Sequence, residues 1–217
     1  PGRMLKGKLN PLLAGPAGAG LQMRQYARQM TVQTQKYDLE TRRIRRFDER
    51  HDRLWEAVKQ DYPCAAVRDA SYLNWKYVDQ PGQDYVRLEM LQNGRPAAVA
   101  VLLLREPGEP SAYRYRRAMI VDLVAPAGDK AFLFSVLEAV RRQCQALEAD
   151  SMVFEVINAR IEPVLESFGF IRRDPTRYFL IHVPDTDQAA GERLLSAENW
   201  LVTKGDSDID RPEGGVK

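Results

Sequence analysis

The feature that most constrains the fold is an apolar run, Ala97–Leu104, whose residues are apolar on both faces of an extended chain. A strand of this kind is buried on both sides, so it belongs in the interior of a sheet. The run follows Gln92-Asn93-Gly94-Arg95, and an Asn-Gly pair between two apolar runs is a strong signal for a tight hairpin turn. The sequence therefore predicts that Tyr85–Leu91 and Pro96–Leu104 are antiparallel neighbours.

Upstream of this hairpin the pattern predicts one strand and two helices. Leu39–Phe47 alternates like a strand, and Asp48 is placed to cap a helix whose apolar residues repeat at helical spacing. His51, in the first turn of that helix, is expected to be exposed. A short second helix is expected over Asp69–Tyr77, and its aromatic cluster is interpreted as core.

Downstream of the hairpin, extended and helical patterns alternate. The clearest is a helix over residues 129–147, which begins with Asp129 and carries apolar residues on one face. Because antiparallel strands are followed by a strand–helix–strand unit, we expect an α/β (α+β) fold with a mixed, mostly antiparallel central sheet flanked by helices. The remaining elements predicted here are the strands Tyr113–Val124, Met152–Ile157, Tyr178–Val183 and Trp200–Thr203 and the helix Ile161–Phe168, which ends at Gly169.

The length and the charge pattern suggest a domain with a flanking arm. The chain has 217 residues, and among residues 1–50 positive charges outnumber negative ones by roughly seven. We expect residues 1–37 to form a basic arm or the end of a preceding domain. Residues 38–205 are then the folded domain, and residues 206–217 are a flexible tail.

Composition argues against several classes of site. Two cysteines, Cys64 and Cys144, are too few for a disulfide framework or a zinc site, and both are interpreted as small core residues in helical surroundings of a reduced, cytoplasmic protein. The acidic stretch Asp206–Asp210 lacks the glycine and the glutamate of a calcium loop, so no metal is expected. The net charge of +2 gives no reason to expect nucleic acid, and no apolar run is long enough to predict a membrane span.

Two stretches carry a family resemblance. They are Ala118–Lys130 with the helix after it, and Val153–Phe170, which contains the pair Gly169-Phe170. Together with the order of elements over residues 38–205, they resemble the acyl-CoA N-acyltransferase (GNAT) superfamily. Arg68–Tyr77 and Trp200–Asp208 look like a subgroup of bacterial GNAT-like proteins, some of which have two such domains in tandem. That resemblance implies that this chain is the second domain of such a protein.

The resemblance implies an acyl-CoA-dependent N-acyltransferase, with acetyl-CoA or another acyl-CoA as co-substrate and a small amine or amino sugar as acceptor. In the family, backbone N–H groups at the start of the long helix bind the pyrophosphate, where unpaired amides and the helix dipole form an anion site. A pantetheine chain lies where the next strand splays away. By this resemblance the cofactor-binding residues are Leu123, Val124, Ala127, Gly128, Asp129, Lys130 and Asn158.

Three residues are candidates for proton transfer. Asp122 lies near the end of the cofactor strand, and Glu155 lies in an apolar strand where desolvation would raise its pKa. The alternative for each carboxylate is a pairing with a nearby arginine. Tyr178, on the strand after Gly169-Phe170, is the candidate acid by its position, and the alternative is a packed aromatic side chain.

Two other functions remain open from the sequence, and with them the question of whether the chain is an enzyme. The loop Ala125–Lys130 keeps a single glycine, Gly128, and no Arg or Gln precedes it. That loss favours a non-catalytic GNAT-like module that binds a ligand or packs against a partner domain or a second copy. Transfer from aminoacyl-tRNA through the basic arm ranks last, because the charge excess is modest. An open loop with free amides would favour the enzyme, whereas amides already capped by side chains would favour the module.

Overall fold

The structure is a computed structural model, and it describes residues 37–108, 114–173, 179–182 and 188–207. Short 3-10 turns occur at Lys59–Asp61, Ala197–Asn199 and Lys204–Asp206. We call the last of these the C-terminal turn. In chain order the elements are β1 (Glu40–Arg43), α1 (Glu49–Val58), β2 (Cys64–Ala65), α2 (Ala70–Tyr77), β3 (Tyr85–Gln92), β4 (Arg95–Arg105), β5 (Arg117–Val124), α3 (Lys130–Ala146), β6 (Ser151–Phe154), β7 (Val156–Ile157), α4 (Glu162–Phe168), α5 (Gln188–Leu195) and β8 (Trp200–Thr203).

The main sheet of the described residues has the strand order β1-β3-β4-β5-β6. The first three pairs in this order are antiparallel, and β5 with β6 is parallel. The predicted hairpin is confirmed: Asn93 and Gly94 take φ angles of 51° and 75°, the left-handed values that a tight two-residue turn requires. The mixed, mostly antiparallel sheet with flanking helices expected from the sequence is therefore confirmed.

The predicted cap at Asp48 is confirmed, and Asp69 and Asp129 cap their helices in the same way. Asp48, Asp69 and Asp129 each accept a hydrogen bond from a backbone N–H in the first turn of the helix that follows. Gly169 ends α4 with a left-handed φ of 110°, which a residue without a Cβ adopts at no steric cost. These local signals mark where α3 begins and where α4 ends, and both helices border the site described below.

The core lies against the central strands. Val101 and Leu102 of β4, Ile120 and Leu123 of β5 and Leu137 of α3 are all at most 1% exposed. β4 is buried along most of its length, as the continuous apolar run predicted. At Val101–Leu102 the register to β5 shifts and leaves Val121 as an extra residue, so β5 carries a bulge next to Asp122.

In the described structure β6 pairs along its whole length with only the first half of β5. The pairing runs from Arg117 with Ser151 to Ile120 with Phe154. The strand is then interrupted at Glu155, and β7 begins at the next residue. β7 then pairs with β8, and β8 pairs with β2, in a smaller sheet of order β2-β8-β7. The C-terminal turn after β8 packs against the part of β5 from which β6 has separated.

Several expectations about single elements were wrong. The strand Met152–Ile157 is interrupted at Glu155, and the described residues 179–182 of the expected strand Tyr178–Val183 are not in a strand, while its two end residues lie outside the described structure. The helix Gln188–Leu195 was not predicted, because its short apolar pattern is weak. Cys64 lies half-buried in a strand, whereas Cys144 is a core residue as expected.

The solvent exposure expected for His51 was also wrong. Its side chain is fully buried, because the ring packs edge-on against Phe47 at 5.2 Å and its Nδ1 accepts a hydrogen bond from the backbone N–H of Asp48. The aromatic cluster of α2 divides: Tyr77 is core, as expected, but Trp75 is 50% exposed. In the described part of the chain, none of the helices has the length and apolar character needed to cross a lipid bilayer.

Candidate functional site

A cleft of about 380 Å³ opens at the N-terminal end of α3. The loop before α3 forms one wall, and the connection from β7 to α4 forms the other. Lys130 lies on the first wall and Arg160 on the second, and both side chains are exposed. The lining residues are Ala127, Gly128, Lys130, Ala159, Arg160 and Pro163. The cleft thus combines a helix N-terminus with two cations, a combination that suits a polyanionic group.

Gly128 leaves the floor of this cleft open. Among the described residues, nothing lies within 4 Å of a Cβ placed on Gly128. Ligand atoms can therefore approach the backbone there without meeting a neighbouring side chain. Of the residues that the resemblance assigns to the cofactor, Ala127, Gly128 and Lys130 line this cleft.

Asp129 caps α3 and is itself held in place. Its carboxylate accepts hydrogen bonds from the backbone N–H of Phe132 and from the hydroxyl of Tyr37, which also packs edge-on against the Phe132 ring. The Tyr37 hydroxyl, followed by the Phe132 amide, lowers the pKa of Asp129 below its ordinary value. The negative charge at the helix start is thus fixed by the fold, and the Asp129 side chain is occupied.

One backbone amide of the loop before α3 is capped by the carboxylate of Asp61, which ends the 3-10 turn after α1. The backbone N–H of Ala127 donates to Asp61 Oδ2 at 2.8 Å, and Asp61 Oδ1 lies 3.8 Å from Arg160 Nη1. The adjacent Tyr62 donates its hydroxyl to the carbonyl of Ala125 at 2.6 Å. Two consecutive residues therefore fasten the loop on which a phosphate would rest.

Leu123 and Val124 lie on β5 before this loop. Both are buried, at 1% and 2% exposed, and pair with Ala100 and Val99 of β4. The N–H of Leu123 donates to the side chain of Asp122. Their assignment as cofactor-binding residues stays a prediction. In the structure they are buried residues of β5 that pair with β4.

Asp122 lies in a buried polar network. Its carboxylate accepts hydrogen bonds from Arg68 Nε at 3.0 Å, from the Tyr77 hydroxyl at 2.9 Å and from Thr203 Oγ1 at 3.0 Å. Arg68 and Asp122 are 0% and 1% exposed, so this pairing is a buried salt bridge. The arginine pairing that the sequence offered as the alternative for Asp122 is therefore present, and its role as a base stays a prediction.

The same network reaches the C-terminal turn. Arg68 Nη2 donates to Asp206 Oδ2 at 2.6 Å, and that carboxylate also accepts from the backbone N–H of Thr203 at 2.7 Å. Burial raises the pKa of Asp206, and the Arg68 charge opposes that shift. Burial also raises the pKa of Tyr77, with the neighbouring Asp122 acting in the same direction. The network fastens β8 and the C-terminal turn onto β5.

Glu155 lies at the break between β6 and β7, where β6 leaves β5. The burial expected for it was wrong: its side chain is 51% exposed, because the strand is interrupted there and the residue points outwards. Lys204 Nζ lies 3.1 Å from Glu155 Oε1, and the lysine side chain is only 7% exposed. Of the two candidate carboxylates, Glu155 is the one that solvent and a substrate can reach.

Asn158 is buried and fully engaged within the fold. Its Nδ2 donates to the carbonyl of Trp200 at 2.6 Å, and its Oδ1 accepts from the backbone N–H groups of Arg160 and Ile161. The side chain thus joins β8 to the turn that carries Arg160 into the cleft. A contact with pantetheine stays a prediction, and Tyr178 lies outside the described residues.

Sequence reasoning missed the residues that matter most to the geometry of the cleft and of the network. Asp61 and Arg160 meet over the loop before α3, and Arg68 and Lys204 are the cations that pair with the two candidate carboxylates. Arg68 lies in the segment Arg68–Tyr77, which carried only a family resemblance. No spacing rule connects it to Asp122, 54 positions away. Among the described residues, no three His, Cys, Asp or Glu side chains lie together so as to hold a metal ion.

Comparison with known proteins gave only structural similarities, because no protein-family model and no curated protein matches the chain. An aminoglycoside acetyltransferase from an uncultured soil metagenomic sample, in complex with sisomicin, is 14% identical, with 67% of this chain and 97% of that chain covered at a TM-score of 0.47. The aminoglycoside acetyltransferase AAC(6')-Iy with a CoA bisubstrate analogue is 14% identical, with 67% and 99% covered at a TM-score of 0.44.

Proposed function

We propose that the protein is an acyl-CoA-dependent N-acyltransferase whose acceptor is a small amine or amino sugar. The observation that carries this proposal is the cleft at the start of α3, with Lys130 and Arg160 on opposite walls and an open backbone at Gly128. Its residues fit a diphosphate, because helix amides and two cations complement several negative charges. When bound, an acyl-CoA supplies the acyl group as an activated thioester.

Glu155 is the residue that we propose for the acceptor amine. Its exposed carboxylate can take the amine proton directly or through one water, and Lys204 keeps it oriented at the strand break. Asp122 is fully hydrogen-bonded and buried, so we propose a positioning role for it. Asp122 holds β5 and the C-terminal turn in place. Tyr178, the candidate acid from the sequence, is the residue that we propose to protonate the leaving thiolate.

The test is acyl transfer, measured as thiol release from acetyl-CoA in the presence of primary amines and amino sugars. We expect release that depends on the acceptor in the wild type and a large loss in Glu155→Gln. Arg160→Gln should weaken CoA binding about tenfold, the size expected when one charged contact to a phosphate is removed. Arg142→Gln is the matched control. Arg142 is an exposed arginine on α3, twelve positions after Lys130 and therefore roughly 18 Å from the start of the helix.

One observation favours a second function, a binding module without catalysis. The Ala127 amide is capped by Asp61, and the C-terminal turn packs onto β5 where β6 leaves it, the region in which the family places pantetheine. A module of this kind would bind no CoA and would release no thiol with any acceptor. CoA binding without turnover on any amine would indicate a site that holds the cofactor and lacks its acid or base.

A further inference from the structure

The proposed phosphate site contains an acid that opposes its own ligand. The cleft presents two cations and a helix start, yet the carboxylate of Asp61 lies on the loop amide of Ala127. The other carboxylate oxygen of Asp61, Oδ1, lies 3.8 Å from Arg160 Nη1. A carboxylate with these two partners uses the kinds of contact that a phosphate oxygen would use.

The position of Asp61 is set by the fold. It ends the 3-10 turn after α1, and the next residue, Tyr62, is 3% exposed and bonded to the carbonyl of Ala125. The Asp61 side chain itself is 31% exposed, so its carboxylate can turn from the loop towards solvent when another acceptor takes the Ala127 amide. The anchor is thus fixed, and the carboxylate remains displaceable.

We propose that Asp61 is an internal competitor for the phosphate site: its carboxylate occupies the Ala127 amide in the free protein and is displaced when a polyanionic ligand binds. This inference rests on the proposed function, because it concerns the same cleft. Its consequence is that the site is weakened towards every phosphate ligand by one built-in negative charge. Ligands that reach the cleft without phosphates should be indifferent to Asp61.

The deciding variant is Asp61→Asn. Asparagine keeps an oxygen that accepts from the Ala127 amide, so the loop keeps its support, and the charge alone is removed. A unit charge several Å from a phosphate, at the effective dielectric of a protein surface, corresponds to about a tenfold change in affinity. We therefore expect Asp61→Asn to bind CoA and inorganic pyrophosphate about tenfold more tightly than the wild type does.

The matched control is Glu162→Gln. Glu162 begins α4 next to the cleft residue Pro163, and its side chain is 31% exposed, the same fraction as that of Asp61. Its cationic partner is Arg172, and within the described part of the chain its carboxylate accepts no hydrogen bond from the loop before α3. The control removes an equal charge from the same region, so a change confined to Asp61→Asn comes from the competition and not from net charge.

The experiment is titration calorimetry of wild type, Asp61→Asn and Glu162→Gln with CoA, pyrophosphate and pantetheine. Amide NMR of Ala127 supplies a second readout. Support for the proposal is tighter CoA and pyrophosphate binding in Asp61→Asn, less than twofold change in Glu162→Gln, unchanged pantetheine binding, and an Ala127 resonance that moves when pyrophosphate is added to the wild type. Binding by Asp61→Asn alone would support it as well.

Two results would overturn it, and they are distinguishable. If CoA binds the wild type and Asp61→Asn equally, or if the Ala127 resonance is unmoved at saturation, the competition is absent while the CoA site stands. If neither protein binds CoA or pyrophosphate although both unfold cooperatively, the proposed function fails and the competition fails with it.

Discussion

At the scale of single residues, the buried salt bridge Arg68–Asp122 joins the C-terminal turn to β5. Arg68 bonds to Asp122 on β5 and to Asp206 on the C-terminal turn, and Thr203 bonds to the same Asp122 carboxylate. Burial opposes the charge on Arg68, but the two carboxylates outweigh it, and the pKa of the guanidinium lies above its ordinary value. Removing one partner of this buried salt bridge leaves the other without its partner inside the protein.

We predict that Asp122→Asn lowers the free energy of unfolding by about 3 kcal/mol, the cost of breaking a buried ion pair from one side. Thr203→Val, which removes one hydrogen bond to the same carboxylate, should cost only about 1 kcal/mol. Chemical denaturation of both variants measures the difference. If Asp122→Asn unfolds like the wild type but has lost acyl transfer, Asp122 is a catalytic base and its structural role is refuted.

The sequence could place these residues only in part. It offered an arginine as the alternative partner of Asp122, and an arginine is there, but a contact across 54 positions leaves no local pattern. For Glu155 the partner is Lys204 of the C-terminal turn instead, because the strand is interrupted at Glu155. Asp61 follows a helix end without any motif, so its bond to Ala127 was invisible before the fold was known.

At the scale of elements, α3 depends on contacts from Tyr37, far from it in the chain. The Tyr37 backbone N–H donates to Ser135, and its hydroxyl donates to Asp129. The helix start that borders the cleft is therefore supported from a segment that the sequence assigned to the arm. The expected boundary between residues 37 and 38 stays a prediction, but Tyr37 packs with the domain.

This contact gives a pH-dependent prediction. The pKa of Asp129 is lowered by the Tyr37 hydroxyl, so the stability it contributes is present above the ordinary pKa of 3.8 and is lost as pH falls through the folded value. Tyr37→Phe should therefore lower the thermal midpoint at pH 7 and have less effect near pH 3. A midpoint difference between variant and wild type that is the same at both pH values would contradict this.

The C-terminal turn gives a steric prediction. A Cβ on Gly205 would lie 2.0 Å from the Tyr77 hydroxyl oxygen and 3.3 Å from the carbonyl of Val121. Gly205→Ala should cost roughly 2 kcal/mol of stability, because the turn must move off β5 or Tyr77 must leave Asp122. Gly128→Ala is the control, with open space around its Cβ, and should change stability by less than about 0.5 kcal/mol. Equal unfolding midpoints for the two variants would mean that the turn is not packed as described.

Elements with strong local patterns were predicted well. The hairpin β3–β4, the long helix α3 and the strand β8 follow from turn residues and apolar spacing. The break at Glu155 was missed, because a single acid in an apolar run reads as a buried residue. What decides it is the pairing of β7 with β8, a contact between distant parts of the chain.

At the scale of the whole molecule, the order of elements and the mixed sheet support one α/β unit over the described residues. The cleft forms where three separate segments meet: the turn after α1, the loop before α3, and the connection from β7 to α4. This convergence explains why the fold class was predictable from the sequence, whereas of the cleft only the loop residues Ala127, Gly128 and Lys130 were named from it. The extents of the arm and tail, a partner domain or second copy, and the cytoplasmic location stay predictions.

The central claim is that this cleft binds the phosphates of an acyl-CoA. The most direct measurement is thermal unfolding of the wild type with millimolar CoA, with pantetheine as the ligand that lacks the phosphates. At a CoA concentration of about 100 times its dissociation constant, the folded state should gain about 2.7 kcal/mol, a rise of several degrees in the midpoint. We predict that rise with CoA and a much smaller one with pantetheine. A cooperative transition whose midpoint is unmoved by millimolar CoA would contradict the claim and would favour the binding module.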